Sequence, residues 1–185
     1  DPKTNPASTR TPKRVVSLFA GCGGLDHGFF QNPAYQHVLA NDSDADACQS
    51  YQNNYGFQPV CGDVKQLQQI PECDLLLGGF PCQGFSMANP YRSEQDQRNE
   101  LYLEILRLLR QSQPRYFLLE NVKGLLNLGG YATPADRKAK LGKVLKVILD
   151  DLRSCGYRVQ HRLFEMKLYG IPQKRERVIM LGVRE

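Results

Sequence analysis

Four groups of residues in this 185-residue chain have types and spacings that could do chemistry. A cysteine stands in Gly78-Gly79-Phe80-Pro81-Cys82-Gln83-Gly84-Phe85-Ser86, and a glutamate in Glu120-Asn121-Val122. Paired arginines stand in Gln173-Lys174-Arg175-Glu176-Arg177, and glycines cluster in Phe19-Ala20-Gly21-Cys22-Gly23-Gly24-Leu25. Cys82 follows the apolar run Leu75-Leu76-Leu77, which predicts a buried strand. Pro81 fixes its own φ and pushes Phe80 toward an extended conformation, so the path into Cys82 is stiff. The carboxyl ends of strands in open α/β sheets are where ligands bind. Taken alone, Cys82 reads either as a nucleophile there or as a small buried thiol beside a turn. Glu120 ends an apolar run on the same edge, placed to be a general acid or simply a solvated strand end. Arg175 and Arg177 alternate with Glu176, so an extended chain puts both on one face. That pair suits a phosphate plus a base carbonyl, or makes an ordinary basic edge strand.

The elements that must position these groups follow from the apolar pattern. A strand over Arg14–Ala20 leads through the glycines into a short helix over Asp26–Gln31, the strand–turn–helix context of nucleotide sites. Gly21 and Gly23 match the first two positions of G-x-G-x-x-G, but Asp26 occupies the third, which disfavours a dinucleotide pyrophosphate. The turn holds no lysine, so a neutral or cationic nucleoside fits better than a phosphate. A second strand, His37–Ala40, ends in Asn41-Asp42. Asp42 is placed to accept from ribose hydroxyls, with helix capping by Asp42, Ser43 or Asp44 as the alternative before a helix running to Tyr55. A third strand over Pro59–Cys61 brings Asp63 to the same edge, within reach of an adenine amine. Residues 84–97 read as a loop, with Ser86, Asn89 and Arg92 as candidate phosphate or base contacts. A helix over Arg98–Gln111 and a fifth strand over Arg115–Leu119 follow. Thr133 caps a helix predicted to run unbroken to Leu152, its stripe Leu141, Leu145, Ile148 and Leu152 buried and Lys138, Lys143 and Lys146 solvated. Strands over Tyr157–Phe164 and Arg177–Val183 complete an α/β fold.

Composition sets outer bounds. No run of 18 apolar residues exists to span a membrane. Residues 1–13 read as a flexible tail and 14–185 as one domain. The six cysteines include no Cys-x-x-Cys pair, so no metal site is expected, and scattered thiols suggest an intracellular setting. That setting is cytoplasmic in a bacterium and nuclear in a eukaryote. The net charge is +5, but residues 131–185 carry thirteen basic and six acidic side chains, a concentration a polyanion could meet.

The four motifs, in this order, resemble the cytosine-C5 DNA methyltransferases over residues 14 to 184. The resemblance implies a Rossmann-like S-adenosylmethionine-dependent methyltransferase fold, mostly parallel with an antiparallel C-terminal strand. It implies that Cys82 attacks C6 of a cytosine flipped from double-stranded DNA, with Glu120 on N3, Arg177 on O2 and Arg175 on a nearby phosphate. S-adenosylmethionine would lie against Phe19, Ala20, Gly21, Cys22, Gly23, Gly24 and Leu25. Asp42 and Ser43 would serve its ribose, Asp63 and Val64 its adenine, with Gly79, Pro81 and Leu101 alongside. Gln83, Ser86 and Arg98 would contact DNA. Two local departures stand out: Asp42 is shorter than the usual glutamate, and Arg98-Asn99-Glu100-Leu101 replaces Arg-Gly-x-Leu. The family's target-recognition region and last motifs lie outside these residues, so a second subunit or a further segment is expected to supply them. The alternatives are a tRNA cytosine-C5 methyltransferase and a non-catalytic regulatory relative; no Cys-Phe-Thr tripeptide favours the first, and intact Pro-Cys and Glu-Asn-Val motifs count against the second.

Overall fold

Val15, Val16, Ser17 and Leu18 are all buried, because the strand they form is flanked on both sides within a seven-stranded sheet. The computed structural model describes residues 11–81 and 97–185, apart from the side chains of residues 97–100. Its strands are β1 (Lys13–Leu18), β2 (Tyr35–Asp42), β3 (Val60–Cys61), β4 (Leu75–Gly78), β5 (Tyr116–Val122), β6 (Tyr157–Glu165) and β7 (Glu176–Arg184). Their order is β3-β2-β1-β4-β5-β7-β6. The first five pair in parallel, and β7 runs antiparallel to both β5 and β6. This is the mostly parallel sheet with an antiparallel C-terminal strand that the family resemblance implies. The chain order reverses between β1 and β4, and ligand crevices form at such switch points.

The helices are α1 (His27–Phe30), α2 (Ala45–Tyr55), α3 (Gln97–Ser112), α4 (Pro134–Ala139) and α5 (Lys143–Ser154). On one face of the sheet, Ile105, Leu108 and Leu109 of α3 and Leu145, Ile148 and Leu152 of α5 pack against Val16, Leu76, Phe117 and Val178. Each fully buried Leu or Ile contributes about 2 kcal/mol of transfer free energy, so this layer anchors the sheet. On the other face, Val15, Leu75 and Leu77 meet Leu25 and Phe29 of the glycine turn and α1.

Three expectations need correction. The fifth strand does not stop at Leu119: pairing with β7 carries it to Val122, opposite Arg177. The helix expected from Thr133 to Leu152 is two helices. Lys140 takes a left-handed conformation (φ 53°), and Gly142 then starts α5. The break is imposed from outside the segment. Gly142 N donates to Leu126 O at 2.9 Å and Lys143 N to Gly130 O at 2.9 Å, and a Cβ on Gly142 would lie 2.9 Å from Leu126 O. Third, Lys146 is not merely solvated, since its ammonium holds Asp136 across the break at 3.1 Å.

Candidate active site

The glycine turn leaves β1 with a left-handed residue, Phe19 (φ 54°), followed by Gly21 (φ 56°) and Gly23 (φ 88°). A non-glycine residue there is strained, and such strain persists only where surrounding contacts enforce it. Those contacts come from β2 and α2. Ala20 N donates to Asn41 O at 3.0 Å, and Gly21 N to Asp42 Oδ2 at 2.7 Å. Asn54 Nδ2 donates to Cys22 O at 3.2 Å and the Tyr55 hydroxyl to Gly23 O at 2.8 Å. A Cβ on Gly23 would sit 2.2 Å from the Tyr55 ring, so that glycine is required by close approach. Beneath the turn, Asp26 is wholly buried. Its carboxylate accepts from Ser17 Oγ, His37 Nε2 and the Tyr51 hydroxyl, each at 3.0 Å. Burial, reinforced by the Asp26 charge, pushes the Tyr51 phenol well above its usual range.

Of the open alternatives at the end of β2, the α2 cap is Asp44, which accepts from Ala47 N at 2.9 Å. Asp42 instead bridges Gly21 N and Asp44 N, and each carboxylate oxygen keeps a further lone pair for a ribose hydroxyl. Asp63 caps the short 3-10 turn Val64–Gln66 through Lys65 N at 3.0 Å. Val64 belongs to the hydrophobic core, and Leu101 packs against that core.

Glu120 lies two residues across the β5–β7 ladder from Arg177, since its own partner is Ile179. The diagonal places Arg177 Nε 2.6 Å from Glu120 Oε1, with Arg175 Nη2 at 3.8 Å. The buried Arg177 Nε has no aligned hydrogen-bond acceptor, so the close contact is an ion pair with misdirected N–H. Glu176 faces the other way, onto Lys123 at 2.7 Å, and that contact lowers its pKa below the usual carboxylate value. Arg175 and Arg177 thus share one face as the alternation requires. Asn121, also buried, donates from Nδ2 to Phe80 O at 3.0 Å and accepts from Val122 N at 2.8 Å. It ties β5 to the turn that carries Pro81. Gly79 lies beside Glu120: a Cβ there would meet Glu120 Oε2 at 3.6 Å, an ordinary contact.

One cleft of about 600 Å³ joins these parts. It is lined by Ser17 to Cys22, Gly24 to Asp26, Gly79, Glu120, Arg175 and Arg177, with Met166, Ile171 and Gln173 from the β6–β7 connection. That volume suits a small-molecule ligand. Asp42, Ser43, Asp63, Val64, Pro81 and Leu101 do not line it. Cys82, Gln83 and Ser86 lie outside the described residues, as do Asn89, Arg92 and the Arg98 side chain. Sequence reasoning did not single out Asp26, Tyr51, Asn54, Tyr55 or Asn121 for a role. The one signal available was Tyr51, Asn54 and Tyr55 at i, i+3 and i+4, a single face of α2.

The family model of the C-5 cytosine-specific DNA methylases matches residues 13–185. The chain belongs to that family. Methylases of this family use S-adenosylmethionine as methyl donor. Among curated relatives, the chain is 42% identical over 182 residues to the Type II methyltransferase M.NgoFVII of Neisseria gonorrhoeae, covering 96% of this chain and 45% of the relative. It is 40% identical over 206 residues to M.BsuRI of Bacillus subtilis, covering 95% and 44%. This chain thus spans less than half the length of these methylases. A prophage-encoded DNA modification methyltransferase of E. coli superposes with a TM-score of 0.69 at 26% identity, over 93% of this chain and 47% of that one. Fission yeast Dnmt2 shares the fold at 24% identity, with a TM-score of 0.68 over 94% of this chain and 50% of that one. Among the described residues, no helix is long and apolar enough to cross a membrane, and no cluster of His, Cys, Asp and Glu could hold a metal ion.

Proposed function

We propose that this protein methylates C5 of a cytosine turned out of double-stranded DNA, using S-adenosylmethionine and a transient covalent bond from Cys82. The observation that carries the reading is Glu120 held by Arg177 at 2.6 Å in the cleft that also contains the glycine turn. The turn fits the donor. Cβ atoms on Gly21 or Gly24 would meet nothing within 4 Å, so they would project into the space a ligand needs. When bound, S-adenosylmethionine supplies an electrophilic methyl group.

C5 of cytosine is a weak nucleophile until a thiolate adds at C6, and that addition loads electron density onto N3. Glu120 protonates or hydrogen-bonds N3 as the charge develops, and Arg177 fixes the orientation of its carboxyl group. The Arg177 guanidinium, beside Glu120, would hold the base O2. Asn121 Nδ2, bonded to Phe80 O, holds the backbone two residues before Cys82 against β5. The base must leave the stack, since C6 is unreachable inside a duplex. Target-sequence recognition would come from polypeptide beyond residues 1–185, in the same chain or a second subunit.

Duplex DNA carrying 5-fluorocytosine tests this with the full-length protein and S-adenosylmethionine. Fluorine blocks the final elimination, so an adduct that survives denaturation and disappears in Cys82→Ser is expected. Absence of the adduct with DNA, and its appearance with tRNA, would overturn the substrate assignment.

A further inference from the structure

The buried Ser17–Asp26–His37–Tyr51 group has no role in the chemistry above, yet it lies directly under the glycine turn. Asp26 belongs to the turn itself: its N–H and that of His27 both bond to Gly23 O, at 3.1 and 3.0 Å. Its side chain reaches three other elements, Ser17 on β1, His37 on β2 and Tyr51 on α2. A carboxylate only accepts, so His37 Nε2 carries the proton in this contact. Aromatic packing reinforces the group. Phe30 is sandwiched between His37 and Tyr55, with ring centroids 3.7 and 4.3 Å apart and planes within 4° and 8°.

The four-residue α1 that follows buries no side chain fully, and one helical turn is not stable by itself. The strained backbone from Phe19 to Gly23 therefore depends on side chains for its shape. If stability alone were at stake, apolar residues of similar volume would serve as well as a buried charge. What a carboxylate with three fixed donors adds is a single position for the turn.

We propose that Asp26 is a positioning residue for the methyl donor: its carboxylate, held by Ser17, His37 and Tyr51, fixes the Gly21–Gly24 turn in the shape the donor binds. The inference rests on the donor reading above.

The test uses the full-length protein and compares Asp26→Asn and Tyr51→Phe with a destabilised control far from the turn. Ile148→Val or Ile148→Ala on α5 provides the control, chosen to match the loss of melting temperature. Two quantities are read below every variant's melting range: the dissociation constant of S-adenosylhomocysteine, and amide exchange of residues 19–24. Asp26→Asn is expected to weaken binding about tenfold or more, one hydrogen bond to a charged group. Tyr51→Phe should weaken it less, exchange should rise in both, and the control should change neither. The proposal is overturned if Asp26→Asn leaves exchange and affinity unchanged, or if the matched control moves them equally. Should the unaltered protein bind no S-adenosylhomocysteine while Asp26→Asn still loosens the turn, the donor reading fails, the donor-positioning role falls with it, and only the hold of Asp26 on the turn stands.

Discussion

The glycine-turn end of the cleft is held by aligned hydrogen bonds between fixed groups: Gly21 N–H on Asp42, the Tyr55 hydroxyl on Gly23 O, and three donors on Asp26. The opposite end is held by charge. Glu120 faces two guanidinium groups, and the nearer one keeps a buried Nε–H with no aligned acceptor. A buried polar group left unsatisfied calls for an explanation, and in the proposed reaction a base held at Glu120 and Arg177 would provide one. On the proposed reading the donor half is shaped before ligand arrives, whereas the base half would hold charge and hydrogen-bonding capacity in reserve for the transition state. Preorganised charge of that kind is where catalytic stabilisation is usually largest.

The largest expected effects would separate the two ends by readout. Glu120→Gln should lower turnover by about 10²-fold or more, the range for a positioned acid, while S-adenosylhomocysteine affinity is unchanged. An equal fall in affinity would mean the ends are not independent. Gly23→Ala should do the reverse. Its φ of 88° and the Tyr55 ring 2.2 Å from the added carbon combine strain with displacement, a cost of about 2 kcal/mol read in melting temperature and donor affinity. Unchanged donor affinity would show that the turn accommodates the methyl by moving Tyr55 alone. Tyr55→Phe should cost less, about 1 kcal/mol, since it removes the bond to Gly23 O and a longer contact with His27 Nδ1 but keeps the ring stacked on Phe30.

The same contrast explains what could be read from the sequence. The strands themselves and the placing of Arg175 with Arg177 on one face follow from apolar runs and period-two alternation, which are local, whereas the antiparallel C-terminal strand was legible only through the family resemblance and the strand order only in the structure. Glu120 and the glycines were legible because their types are unusual at strand ends. Asp26 was not: in the chain it appears only as the residue that spoils a glycine fingerprint, and its three partners stand 9, 11 and 25 residues away. The break at Lys140–Gly142 was also hidden. The stripe Leu141, Leu145, Ile148 and Leu152 keeps helical period straight through it, while the carbonyls of residues 126–130 that stop the helix belong to another segment.

That break supplies a control away from the cleft, where charge serves the fold alone. A hydrogen bond from the Thr133 hydroxyl, then the Lys146 ammonium, holds Asp136 below its ordinary value of 3.8. A carboxylate whose folded value is depressed contributes stability that is fully present above the ordinary value. It is lost as pH falls through the folded one. Asp74 and Glu176 are depressed as well and titrate in the same acid window, so the unaltered protein alone cannot isolate Asp136. The difference between it and Asp136→Asn does. The variant should melt lower at neutral pH, and the gap should close as the pH drops below 3.8. Lys146→Met should narrow the same gap from the other partner. Amide exchange of residues 19–24 should be the same in all three proteins. A change there would mean the α4–α5 break and the glycine turn are coupled through the sheet, and the cleft's two ends could no longer be treated as separate from the rest of the fold.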